Sequence, residues 1–263
     1  MSDWLVVSAS CLAVAALAMA VTAAVARRTG RFAVVDVTWG VALALTAVVA
    51  AVVATALGAG DWRRWLLVAL VSVWGLRLSW HVHRRNAGRE DPRYAQMLEG
   101  ASFGTAVVKV FVVQGAAVWL VSLPVQVTAV TRASWAWVVW LGLALWVVGV
   151  LFEAVGDAQL AAYKRDPDRG PVMDRGLWGW TRHPNYFGDA CVWWGIWLVS
   201  VAAWPGLPTV VSPVAMTYFL VFATGARLLE EHMRGRPGWE EYAARTSMFF
   251  PLPPRRSSGA DRG

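Results

Sequence analysis

Residues 33–57 read AVVDVTWGVALALTAVVAAVVATAL, an unbroken apolar run whose one charge is Asp36. Crossing the roughly 30 Å hydrocarbon core of a bilayer takes about 20 such residues in a helix. Outward from this stretch the pattern recurs at about 4–26, 65–83, 105–130, 134–156, 187–204 and 208–230. No sheet pattern survives beside these runs. They predict an all-α polytopic membrane protein with about seven transmembrane helices, forming one domain over residues 1–250. The tail 251–263, PLPPRRSSGADRG, has no apolar period and reads as a disordered basic tail.

Composition agrees. The chain is 57% hydrophobic and 16% charged, whereas soluble domains hold about 45–50% apolar and about 25% charged residues. Its 18 Trp suit membrane–water interfaces. Ala18-Met19-Ala20 has the small-x-small form of a cleavage site, but no positive region precedes it and the run from Trp4 to Ala26 is long enough to span. We therefore read it as a retained first helix. Cys11 and Cys191 both lie in apolar runs, which argues against a disulfide framework or a thiolate metal site. The four His lack metal-ligand spacing, and no metal is expected.

The net charge of +7 does not signal nucleic acid, because the cations sit in short loops between apolar runs. With the N-terminus outside, eighteen Lys and Arg fall in the inner segments, and Arg63, Arg64 and Arg132 in the outer ones. This bias sets the orientation as N-terminus outside, C-terminus cytoplasmic. Every polar-rich segment then faces the cytoplasm, from which a soluble ligand would enter.

The stretch from Met173 to Gly195, MDRGLWGWTRHPNYFGDACVWWG, is the strongest candidate site. Arg182, His183, Asn185 and Tyr186 at the mouth of a membrane helix are costly to desolvate, and a ligand explains them better than packing does. Asp36, near the start of the second span, reads equally well as a functional acid or as a helix-N-terminal carboxylate favoured by the macrodipole. Arg77, Trp80, His81, Arg84 and Arg85 share one helix face, suited either to gripping phosphates or to snorkelling at the interface. The fifth span is expected to continue as one helix through FEAVGDAQLAAYKR, placing Glu153 near the cytoplasmic edge with Asp157 one turn on and Lys164 on the same side. Arg227, Glu230, Glu231 and Arg234 stand at helical spacing, where intrahelical ion pairs compete with a binding role for Arg227. Dinucleotide-fold, phosphate-loop, zinc-protease and serine-elbow motifs are all missing.

GLWGWTRHPNYFGD (176–189), preceded by FEAVGDAQL (152–160) and followed by RLLEEHMRGRPGWEEYAARTSMFFP (227–251), resembles the bacterial membrane proteins of the steroid 5-alpha-reductase-like family. SWHVHRRN and VVDVTWG extend the likeness more weakly. The resemblance implies a seven-helix domain in the bacterial inner (plasma) membrane. It also implies an oxidoreductase acting on CH–CH groups, which reduces the double bond of a lipidic enone with NADPH held among the cytoplasmic helix ends.

Residue by residue, Asn185 and Asp189 match the family's Asn and acidic residue after the loop, and Asp157 its helix-five Asp. Lys164 stands where an Arg contacts phosphate, and Arg227 matches the Arg of the last span. Arg84 and His81 lie near a cofactor Arg and a substrate-polarising Tyr. Glu153 replaces an Asn and Glu231 a His; Asp36 is the nearest acid to a Gln–Glu pair that has no clear match. The implied roles are phosphate neutralisation by Arg84, Lys164, Arg182, His183 and Arg227, orientation of ribose and nicotinamide by Asp157, Asn185 and Tyr186, and proton delivery by Asp36 or His81. The Arg-His-Pro-x-Tyr core with its downstream Glu-Glu also resembles the isoprenylcysteine-type methyltransferases, which use S-adenosylmethionine. Seven spans and the FExxxDxQL block favour the reductase side.

Overall fold

A computed structural model describes residues 2–86, 90–223 and 225–254. It is 78% helical, and no strand forms among the described residues. Six helices among the described residues are long and apolar enough to cross a membrane: Ser2–Thr29, Val34–Ala56, Arg63–Asn86, Phe103–Val121, Ala136–Arg165 and Trp204–Met233. The chain is a multi-pass membrane protein. The remaining expected span is the helix Pro184–Val201, which has 18 residues. Asn185 and Asp189 in its first turns make it more polar than the other six. Of the expected tail, Leu252 donates its N–H to the carbonyl of Trp180 (3.0 Å), and residues 255–263 lie outside the described residues.

Two compact units make up the chain: Met1–Trp140 with Ile196–Ser212, and Leu141–Gly195 with Pro213–Gly263. The first unit is built on helical hairpins. Gly30 (φ +68°) ends the Ser2–Thr29 helix in the left-handed conformation that glycine adopts without strain. The helices Val34–Ala56 and Arg63–Asn86 then meet backbone to backbone: a Cβ on Gly40 would lie 2.1 Å from the carbonyl oxygen of Gly75. In hydrocarbon this close approach replaces the hydrophobic drive between helices. Hydroxyls and an indole close the gaps, with Thr22 donating to Thr38 (2.9 Å) and Trp119 Nε1 to Ser8 (3.1 Å).

Two departures from the expected spans have local causes. The run 105–130 breaks into Phe103–Val121 and Leu123–Val130, because Pro124 brings no N–H and starts a new helix. Residues 107–112 of the first piece form a π-helical turn, the kind of bulge that recurs at functional sites. At the far end of this unit the fully buried Arg63 pairs with Asp61 (3.0 Å) and donates to the carbonyls of Thr131 and Val199 (3.0 and 3.2 Å). One side chain thus ties three segments together where their helices end.

Candidate functional site

The expected continuation holds: Ala136–Arg165 is one 30-residue helix, which belongs to the second unit from Leu141 on. It carries glycines every seven residues, at 142, 149 and 156, and packs on Pro184–Val201, whose Gly188 and Gly195 repeat the same interval. A Cβ on Gly188 would lie 2.6 Å from the amide of Glu153, and one on Gly156 3.2 Å from the ring of Pro184. The seam therefore sets polar residues of the two helices together where Pro184–Val201 begins. Glu153 and Asp189 are buried there, 3% and 5% exposed. Asn185 Nδ2 reaches Asp157 Oδ1 at 3.4 Å. Acceptors and one amide gathered in this way suit hydroxyl and carboxamide groups.

The loop before this helix is tied down on both sides. Gln159 accepts from the amide of Leu177 (3.0 Å), and Trp178 Nε1 donates to the carbonyl of Gly156 (3.0 Å). Thr181 forms a parallel bridge with Ser247, and its hydroxyl reaches the carbonyls of Met248 and Phe249. Tyr242 Oη donates to the Trp178 carbonyl (2.7 Å); burial, before any neighbouring charge, pushes its pKa well above the ordinary phenol value.

Arg182 and His183 converge on Glu230. Arg182 Nε and Nη2 donate to the two carboxylate oxygens at 2.7 and 3.1 Å, and Nη1 donates to the carbonyls of Ala243 and Thr246. The guanidinium also lies 5.9 Å from the ring centroid of Trp239. His183 Nε2 is 3.1 Å from Glu230 Oε1, and its ring is parallel to that of Tyr186 (7°, centroids 5.6 Å apart). Arg182, expected to face phosphate, thus gives its donors to protein acceptors, and the bidentate fork organises the loop. Lys164, Arg227 and Glu231 are exposed, and Arg227 lies 5.8 Å from the Phe222 ring.

The other predicted residues belong to the first unit. Asp36 opens the helix Val34–Ala56 and accepts from Tyr94 Oη at 2.7 Å and Arg93 Nη2 at 3.4 Å. Its neighbour Glu90 accepts from the amides of Phe32 and Ala33 (2.6 and 3.0 Å), so the segment after residue 89 is anchored on this helix start. Burial opposes the charge on Asp91, but its hydrogen bonds with Arg93 outweigh that and hold the carboxyl below the usual range. Burial and the Asp36 carboxylate push Tyr94 far above the ordinary phenol value, which keeps it a proton donor. His81 is half-buried on the Arg63–Asn86 helix, and the exposed Arg84 lies 5.7 Å from the Trp80 ring.

Sequence reasoning missed Tyr94 and assigned Glu230 to intrahelical pairing. A signal existed for the first: Asp91-Pro92 is a helix start, with Asp91 accepting from Arg93 N, and it brings Tyr94 onto an ordered turn. For Glu230 the spacing gave none, since Arg182 lies 48 residues away in sequence; the signal was the resemblance that pairs the Arg-His-Pro core with a downstream Glu-Glu.

With this geometry in place, comparison with known proteins gives a distant relationship. Over 78 residues the chain is 32% identical to the protein named Steroid 5-alpha-reductase DET2 of Arabidopsis thaliana. That match takes in 28% of this chain and 29% of the plant protein, under a third of its length. No solved structure matches. A family model covers residues 22–246, which include both polar constellations, and the chain belongs to the family described as "Protein of unknown function (DUF1295)".

Proposed function

We propose that this protein is a membrane-embedded oxidoreductase of the bacterial inner membrane that uses NADPH to reduce the carbon–carbon double bond of a lipidic, steroid-like enone. The observation that carries this reading is the stretch of likeness to a steroid 5-alpha-reductase. The second unit fits a dinucleotide in its donor set: Asp157, Asn185, Glu153 and Asp189 offer acceptors and an amide for ribose and carboxamide groups, and Lys164 and Arg227 are exposed cations for phosphate. Arg182 and His183 act there by fixing the loop through Glu230.

A bound nicotinamide would supply hydride to the electron-poor carbon of the alkene. The chain must supply the matching proton. Within the first unit, Tyr94 on Asp36 is a neutral phenol hydrogen-bonded to a carboxylate, a pair that can donate a proton and be reprotonated.

The test is a thermal-shift titration in mild detergent, since a ligand that binds only the folded state raises Tm. NADPH is expected to raise it and S-adenosylmethionine to leave it unchanged, with the NADPH response weakened severalfold in Asn185→Ala. Oxidation of NADPH on addition of a 3-oxo-4-ene steroid checks the reaction. A response to S-adenosylmethionine with none to NADPH overturns the reading in favour of a membrane methyltransferase.

A further inference from the structure

The first unit contains a cavity that neither polar constellation uses. It is a trough of about 310 Å³ between the helices Ser2–Thr29 and Phe103–Val121. Ala16, Ala20 and Ala23 form one wall, and Val107, Gly115 and Ala116 the other. Small residues in membrane helices ordinarily let backbones meet. Here they meet only at the floor, where a Cβ on Gly115 would lie 3.3 Å from Met19 Cγ. Ala16, Ala20 and Ala116 stay exposed at the mouth. The π-helical turn at 107–112 runs along the second wall.

One end of the trough is cationic. Arg27 is one turn beyond Ala23, on the same helix face, and exposed. Its guanidinium lies 5.2 Å from the ring centroid of Phe103, which stands one turn before Val107. Phe103–Val121 begins at this end, so its N-terminal dipole adds positive potential. The nearby carboxylates are already engaged: Glu90 on the amides of Phe32 and Ala33, Asp36 on Tyr94 and Arg93. Among the described residues no carboxylate pairs with Arg27.

We propose that the trough is a binding site for an anionic membrane phospholipid, with one acyl chain lying between the two helices and its phosphate against Arg27. Apolar walls take the chain, and the charge at one end selects the headgroup. The site is independent of the reductase reading.

The experiment reconstitutes the full-length protein in nanodiscs of equal phosphatidylglycerol and phosphatidylcholine, and measures retained lipid by native mass spectrometry. The wild type is expected to retain phosphatidylglycerol over phosphatidylcholine by about fivefold, the factor given by about 1 kcal/mol for an Arg near anionic lipid. Arg27→Glu, at an exposed position, is expected to abolish that preference while the amount of lipid retained stays the same. Ala20→Phe fills the trough and is expected to lower total retained lipid; Ala16→Leu serves the same purpose if the larger residue prevents folding. Equal retention of the two lipids by the wild type, or a preference that survives Arg27→Glu, overturns the proposal.

Discussion

Gly149 and Gly188 are in backbone contact: a Cβ on Gly188 would lie 2.5 Å from the carbonyl oxygen of Gly149, and a Cβ on Gly149 2.6 Å from that of Gly188. Neither neighbour is a flexible side chain, so an added methyl must move a helix. Gly188→Ala is expected to cost about 1–3 kcal/mol, the range for overpacking a tight interior. Thermal unfolding in detergent checks this. Gly104→Ala, whose Cβ would find only Ser102 Oγ at 3.8 Å, is the matched substitution expected to leave Tm within a degree or so.

Removing the Arg182 guanidinium strands Glu230 and the carbonyls of Ala243 and Thr246 together. Arg182→Ala is therefore expected to destabilise the protein on the order of 2–3 kcal/mol, allowing for its partial exposure. Arg182→Lys should not restore it, because an ammonium cannot reproduce the planar fork. Limited proteolysis is the direct readout, with new cleavage expected between Arg234 and Pro251.

Tyr94→Phe deletes one hydroxyl and leaves the ring in place. Loss of its hydrogen bond to Asp36 is expected to cost about 1–2 kcal/mol of stability, read as a fall in Tm in detergent. An unchanged Tm would show that this contact adds nothing to the fold.

Two groups at this end of the first unit bend the stability–pH curve at opposite extremes. Asp91 has a folded pKa below its unfolded value, so its contribution is present above about pH 4 and lost as pH falls through the folded value. Tyr94 has a folded pKa above its unfolded value, so its contribution is present below about pH 10 and lost as pH rises further. Tm measured from pH 3 to pH 11 should flatten on the acid side in Asp91→Asn and on the alkaline side in Tyr94→Phe.

The membrane class and the long Ala136–Arg165 helix were legible in the sequence because length and hydropathy are local properties. The break before Pro124 is equally local, but apolar residues continue across it and hide it from hydropathy. Asp36 stood out as an ionisable group in an apolar run, but its partner Tyr94 lies 58 residues away, and hydropathy does not register such a contact. Arg182 shows the same limit. Its residue type suggests a phosphate ligand, and only the fold reveals that Glu230, Ala243 and Thr246 occupy it. Side chains that report on burial could be read from the sequence, whereas those whose roles depend on a distant acceptor could not.

The tie between Thr181 and residues 247–249 also has a consequence for biogenesis. All six long apolar helices among the described residues end by Met233, so the segment that fastens the Arg-His-Pro-Asn-Tyr loop follows every one of them in order of synthesis. Insertion and the fastening of this loop therefore draw on different parts of the chain, the second on residues C-terminal to the six spans. A chain stopped shortly after Met233 would keep all six helices and lack the residues that fasten this loop.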